Sequence, residues 1–249
     1  AFPVLWSSQW PSGCPGSVST NSSWLRAKYG ITTNSNGAAA SGDVIATIYP
    51  VDNSTGRSLG DFPWSDNAGK PMGNGGIPPA GNLSQHLQAV RVSVARLWPD
   101  ASFSGAVMID LEGWSEVPLW DDLEPGRGPS KFQLYRTAAL AWAKTACHGC
   151  SNVTAFAAEA WERDARSFLE ETLLLLHALR PRAKFGFFGV PDCHCNRLAS
   201  WGSPPCPGDG LPRCTADDEA RNDKLSWLFK ASSALFPAIY VAWGSTYKF

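Results

Sequence analysis

The stretch GAVMIDLEGW, residues 105–114, decides how the rest of the chain is read. Five small or apolar residues form a strand-like run, and Asp110, Glu112 and Trp114 follow it at intervals of two. In a strand, that period sends both carboxylates to one side and Ile109 and Leu111 to the other. The GAVMI run has no polar alternation, which predicts a strand covered on both faces, as in a parallel sheet. Two acids crowded into one space do not both ionise easily, so one is expected to hold a proton near neutral pH and to serve as a general acid. The competing interpretation is a strand end reaching solvent, where the same pair is ordinary surface charge. Spacing alone does not separate the two.

Working outward, the chain has 249 residues, a length that suits one large α/β domain. Its hydrophobic fraction of 44% and charged fraction of 17% are those of a globular protein. No apolar run reaches the roughly 18 residues that span a bilayer, so no transmembrane segment is expected. A net charge of −1 provides no basic field for nucleic acid or a membrane surface, and a polyanionic partner must be held by local contacts.

Four N-x-[ST] sequons, at Asn21, Asn53, Asn82 and Asn152, predict N-glycosylation and a secretory route. Seven cysteines in loop-like segments fit disulfides in an oxidising compartment, with one left over. The C-x-x-C of Cys147 and Cys150 and the C-H-C of Cys193–Cys195 resemble zinc-ligand spacing, but nothing completes a tetrahedral set, so no metal and no cofactor is expected. Pairing of neighbouring loops suggests Cys147–Cys150 and Cys195–Cys206.

Short buried strands are predicted at Phe2–Trp6, Val44–Tyr49, Ala106–Leu111, Lys184–Gly189 and Ala238–Trp243. Helical patterns lie between them at Leu83–Leu97, Phe132–Ala146, Glu159–Leu179 and Asp223–Leu235. Strand and helix in alternation mean a parallel sheet, and acids at a strand's C-terminal end favour a (β/α) barrel over an open sheet. Gly73–Gly76 lacks the residues of a phosphate loop, and no G-x-S-x-G elbow supports serine hydrolysis. His86 and His177 fall within helical runs, where a surface or satisfied core role is expected rather than catalysis. Trp64, Trp114 and Trp120 stand in predicted loops where their rings would be free to stack on sugar faces.

At this level of detail GAVMIDLEGW resembles the G-x-x-x-I-D-x-E-x-W strand of the animal hyaluronidases, a family of glycoside hydrolases. The resemblance runs in order along nearly the whole chain, through FPVLWSSQWPSGC (2–14), LRAKYGI (25–31), GGIPPAGNLSQHL (75–87), LRPRAKFGFFGVPDC (179–193), NDKLSWLF (222–229) and LFPAIYV (235–241). It implies a distorted (β/α) TIM-like barrel in one catalytic domain over residues 1–249, secreted or lysosomal, that cuts β-1,4 bonds between N-acetylhexosamine and glucuronate in hyaluronan or chondroitin. It also implies that Glu112 protonates the leaving oxygen and that Asp110 holds the substrate's acetamido group. Acids two apart on a strand do not flank a sugar as a separate nucleophile and acid, which stand about 5 Å or more apart across the bond, so the acetamido oxygen becomes the nucleophile. The chitinase pattern D-x-x-D-x-D-x-E is absent, since Gly105 and Met108 stand at two of its acids.

Carried over by position, the resemblance implies substrate-binding roles: Tyr240 matches a substrate-contacting tyrosine, Asp192 a carboxylate of the cleft and Trp64 a position where the family places an aromatic, while Trp114 is the tryptophan of its E-x-W. Phe188 stands where the family usually has a tyrosine, and Ser115 where an arginine is often seen. The resemblance further implies a Cys193–Cys214 disulfide and a partner for Cys14 beyond residue 249, where the family continues through further barrel strands, so the barrel is expected to be incomplete at its C-terminus. The alternative to an enzyme is a catalytically silent hyaluronan-binding protein of the same fold.

Overall fold

The structure, a computed structural model, describes residues 4–5, 27–35, 42–49, 58–114, 118–125, 130–191 and 214–237. Its elements in chain order are β1 (Val4–Leu5), β2 (Ile31–Thr32), β3 (Ile45–Ile48), β4 (Trp64–Ser65), β5 (Pro71–Gly73), α1 (Leu83–Leu97), β6 (Ala106–Ile109), α2 (Ser130–Ala146), α3 (Val153–Leu179), β7 (Lys184–Phe187), α4 (Ala216–Lys224) and α5 (Ser226–Ala231). The strand expected at Ala238–Trp243 lies outside the described residues.

The frame is a parallel sheet in the order β3-β6-β7, with Ile48 opposite Ile109 and Ile109 opposite Phe187. Parallel neighbours require crossovers. The β4–β5 hairpin and α1 supply the first, and α2 with α3 the second. β1 and β2 form a separate parallel pair.

β6 is not covered equally on its two faces, contrary to the expectation from GAVMI. Val107 and Ile109 are fully buried, while Ala106 and Met108 are half-buried. The difference follows from the helices. Val90 and Val94 of α1 and Phe168, Leu169, Leu173 and Leu176 of α3 pack with Ile48, Val107, Ile109, Phe185 and Phe187 in one core. Each such side chain, fully withdrawn from water, contributes about 1.5–3 kcal/mol.

Two helices start from asparagine caps. Asn82 accepts from Gln85 N–H at 3.0 Å, and Asn152 accepts from Ala155 N–H at 3.0 Å. The Asn152 cap starts α3 at Val153, six residues before the apolar period becomes obvious at Glu159. α3 ends at Leu179, because Arg180 precedes Pro181 and is steered out of helical conformation. The single helix expected at Asp223–Leu235 is two, and it begins earlier. Thr215 and Asp218 form a reciprocal capping box ahead of α4, and the chain kinks at Leu225 before α5.

Cys147 and Cys150 form a disulfide, with Cα atoms 5.7 Å apart, just after α2. Cys214 is disulfide-bonded to a partner outside the described residues. Cys14, Cys193, Cys195 and Cys206 also lie outside them. Among the described residues, no helix is long and apolar enough to cross a membrane.

Candidate active site

Asp110 and Glu112 both line one cleft of about 580 Å³, but not as neighbours in an extended strand. β6 ends at Ile109. Asp110 carries the ladder one residue further, its N–H donating to Ile48 O at 2.8 Å. Glu112 then sits on a turn closed by Gly113 N–H donating to Leu111 O at 2.6 Å. The turn has room because residue 113 is glycine: a Cβ there would come within 3.2 Å of the Tyr135 hydroxyl. Asp110 is buried and Glu112 exposed, so a substrate meets Glu112 more freely.

Burial pushes the Asp110 carboxyl up to about 6, and the Glu112 charge acts in the same direction. A hydrogen bond from the Tyr49 side chain and the charge of Lys131 oppose the rise. The pair therefore carries a proton in weakly acidic solution. One Asp110 oxygen, Oδ1, is buried with no hydrogen-bond partner among the described residues. An acceptor held dry and unpaired in a cleft wall is costly unless a bound molecule satisfies it.

Trp64, expected in the cleft, lines it half-exposed at the start of β4. It stays there because residue 73, opposite on β5, is glycine: a Cβ would lie 2.5 Å from the Trp64 indole nitrogen. Trp114 corrects the expectation that it stacks on sugar. It is completely buried, its indole N–H donates to Pro63 O at 2.6 Å, and its ring packs among Phe62, Trp161 and Phe168. A tryptophan enclosed on all sides has no face left for a ligand. Trp120 is corrected likewise. It is buried, with the Arg136 guanidinium 4.3 Å from its ring centre. Phe188 is half-buried past the end of β7, bridged to Phe236, and is not among the residues that line the cleft. Tyr240, Asp192 and Ser115 lie outside the described residues, as do Asn21 and Asn53. Asn82 and Asn152 are exposed.

Several lining residues went unnoticed in the sequence: Tyr49, Ser65, Asp66, Lys131 and Tyr135. Tyr49 had a signal, since it follows β3 just as Asp110 follows β6. Tyr135 and Lys131 had none, because both come from α2, whose helical period marks Tyr135 merely as buried. Ser65 N–H donates to the Tyr135 hydroxyl at 3.5 Å, joining the hairpin to α2.

The loop that brings Trp64 to the cleft is pinned to α1. Gly60 N–H donates to Ser93 Oγ at 3.1 Å, Asp61 N–H to His86 Nδ1 at 3.1 Å, and Asn74 Nδ2 to Asp61 O at 2.7 Å. Thr172 donates its hydroxyl to Phe168 O at 2.5 Å, so it accepts from His86 Nε2 at 2.8 Å. With Nδ1 accepting and Nε2 donating, His86 is neutral, and burial holds it down at about 4. His86 is thus a packing residue that positions a cleft loop. Among the described residues, no group of three His, Cys, Asp or Glu side chains is placed to share a metal ion.

Comparison with known proteins agrees with this architecture. The chain is 35% identical to the hyaluronidase of Polistes annularis over 170 residues, which is 68% of this chain and 42% of that protein. It is 31% identical to hyaluronidase-2 of Bitis arietans over 213 residues, 85% of this chain and 43% of that one. The chain thus spans less than half the length of these two curated relatives. The crystal structure of bee venom hyaluronidase superposes with a TM-score of 0.73 at 27% identity, covering 99% of this chain and 69% of that one. The same enzyme in complex with a hyaluronic acid tetramer superposes with a TM-score of 0.70 at 30% identity, covering 89% and 62%. The β3-β6-β7 sheet with its crossover helices is therefore part of a distorted α/β barrel. A family model described as hyaluronidase matches residues 2–247, and the chain belongs to that family.

Proposed function

We propose that the protein is a secreted or lysosomal endo-glycosidase that hydrolyses β-1,4 bonds between N-acetylhexosamine and glucuronate in hyaluronan or chondroitin. The observation that carries this reading is the pairing of Asp110, buried and pushed up to about 6, with the exposed Glu112 in a cleft that Trp64 also lines. The family membership supports the substrate class, as does the bee venom enzyme's complex with a hyaluronic acid tetramer. The four sequons and the Cys147–Cys150 disulfide support the secretory route.

In this reading the proton that the pair holds passes to Glu112 as substrate binds, leaving Asp110 ionised, and Glu112 gives it to the glycosidic oxygen as the bond to C1 breaks. The substrate's acetamido oxygen attacks C1 from the opposite face, forming an oxazolinium ion. Asp110, with its unpaired Oδ1, accepts the acetamido N–H and balances the positive charge that develops there. Water, deprotonated by Glu112, then opens the ring at C1, which restores the Glu112 proton and leaves the anomer retained.

A reducing-end assay on hyaluronan and chondroitin, comparing wild type with Glu112→Gln, tests the chemistry. The expected result is activity in wild type and a loss of at least about a hundredfold in the variant. Equal signals from both proteins would leave a silent hyaluronan-binding protein, the reading that Phe188 in place of the usual tyrosine favours. Inverted product stereochemistry would exclude the acetamido mechanism.

A further inference from the structure

Three carboxylates, those of Asp66, Asp110 and Glu112, line the cleft, and Lys131 is the only cationic side chain among the described residues that do so. Lys131 stands in the first turn of α2, half-buried, with Nζ donating to the backbone oxygen of Glu112 at 2.6 Å and lying 5.4 Å from the centre of the Phe132 ring. An ammonium has three N–H donors. One is spent on Glu112 O, and the other two have no hydrogen-bond partner among the described residues. The bond to Glu112 fixes the ammonium beside the acid-bearing turn instead of leaving it to sweep solvent on its four-carbon stem.

A polymer with a carboxylate on every second sugar is repelled by such a cleft unless a cation meets it. Resting on the glycosidase reading above, we propose that Lys131 is a specificity-determining residue: its ammonium takes the uronate carboxylate of the sugar next to the scissile bond and so selects uronate-bearing polymers over neutral ones. Fixed by its carbonyl bond, the ammonium loses little freedom when the carboxylate arrives, which favours affinity. A charge-assisted contact of this kind is also directional enough to set the register in which successive disaccharides pass Glu112.

The test uses a hyaluronan octasaccharide and the same octasaccharide with its carboxyls methyl-esterified. Wild type, Lys131→Gln and Lys131→Arg are compared for binding by calorimetry and for KM and kcat. Lys131→Gln is expected to weaken binding of the native octasaccharide by about five- to tenfold and to raise KM to match. The esterified ligand should bind both proteins alike, salt should weaken wild type more than the variant, and Lys131→Arg should recover most of the affinity. A fall in kcat with KM unchanged, equal for both ligands, would overturn the proposal by reducing Lys131 to a prop for the Glu112 turn. Unchanged affinity would overturn it as well. If wild type binds the octasaccharide without cutting it, the glycosidase reading falls while the binding comparison still decides the role of Lys131. If wild type neither binds nor cuts it, both fall.

Discussion

Tyr49 and Asp110 occupy equivalent places on adjacent parallel strands: each is the first residue past its strand, β3 pairs with β6 so that Ile48 faces Ile109, and the Tyr49 side chain hydrogen-bonds the Asp110 carboxyl. This bond favours the ionised form and partly offsets the burial that drives the carboxyl the other way. Removing the hydroxyl in Tyr49→Phe should therefore raise the apparent pKa of the pair above its present position. A pH–rate profile on hyaluronan should show the limb assigned to Asp110 displaced toward alkaline pH by about half a unit or more. An unmoved limb would mean that Asp110 does not govern it.

Burial of Asp110 has a cost in stability with a definite sign. Its folded pKa, about 6, lies above its ordinary value of 3.8, so the folded state is fully favoured below pH 3.8 and loses that advantage as pH rises through 6. Asp110→Asn removes the ionisation, so at pH 7.5 it should be more stable than wild type by about 2–3 kcal/mol while losing activity. At pH 3.5 the two should unfold alike. Urea unfolding at both pH values measures the difference.

His86 works in the opposite sense. Its pKa is lowered from 6.5 to about 4, so its contribution is complete above pH 6.5 and disappears as pH falls through 4. Protonation also removes the acceptor that Asp61 N–H needs. Melting temperature should fall across that window, and His86→Gln should flatten the fall at the expense of stability at neutral pH. Calorimetric scans between pH 7 and pH 4 check it.

Trp114 ties the acid-bearing turn to the loop of Trp64 through the Pro63 carbonyl. Trp114→Phe keeps an aromatic ring in the core but strands that carbonyl, and should cost about 2–3 kcal/mol in unfolding free energy. Because the turn and the loop share the cleft, kcat on hyaluronan should drop even where the protein remains folded.

Asn152 caps a helix and heads an N-x-[ST] sequon, and mutation can separate the cap from any glycan it carries. Its Oδ1 caps α3, and its Nδ2 is the acceptor atom of a sequon. Thr154→Ala should abolish a glycan while leaving the cap intact, whereas Asn152→Ala should remove both and cost about 1 kcal/mol more. Mass spectrometry of the protein expressed through a secretory host reads the glycan, and chemical denaturation reads the cap.

How far the sequence could be read depended on how local each cause was. A strand from Ala106 and a helix over Leu83–Leu97 are local matters of side-chain period and chain neighbours, and both were legible in one dimension, although the strand expected to reach Leu111 ends at Ile109. The same period marked Asp110 and Glu112, which the fold brings to one cleft. The motifs around them were specific enough to place the chain in its family. The early start of α3 was missed because an asparagine cap at residue 152 carries less signal than the apolar stripe that follows it.

What only the tertiary structure decided is which side of each residue faces another element. The tryptophan two residues past Glu112 reads as a sugar platform until Phe62, Trp161 and Phe168 are seen to enclose it. Met108 reads as core until the helices are found to cover the Val107 and Ile109 face instead. Lys131 and Tyr135 enter the cleft because the first turns of α2 are laid against the strand ends, and no spacing within residues 130–146 announces that. Period and neighbours determine local conformation, but enclosure is a property of what the chain brings back from far along its length, so it was the packing of α1 and α3 on one face of the sheet that separated core from ligand-facing residues.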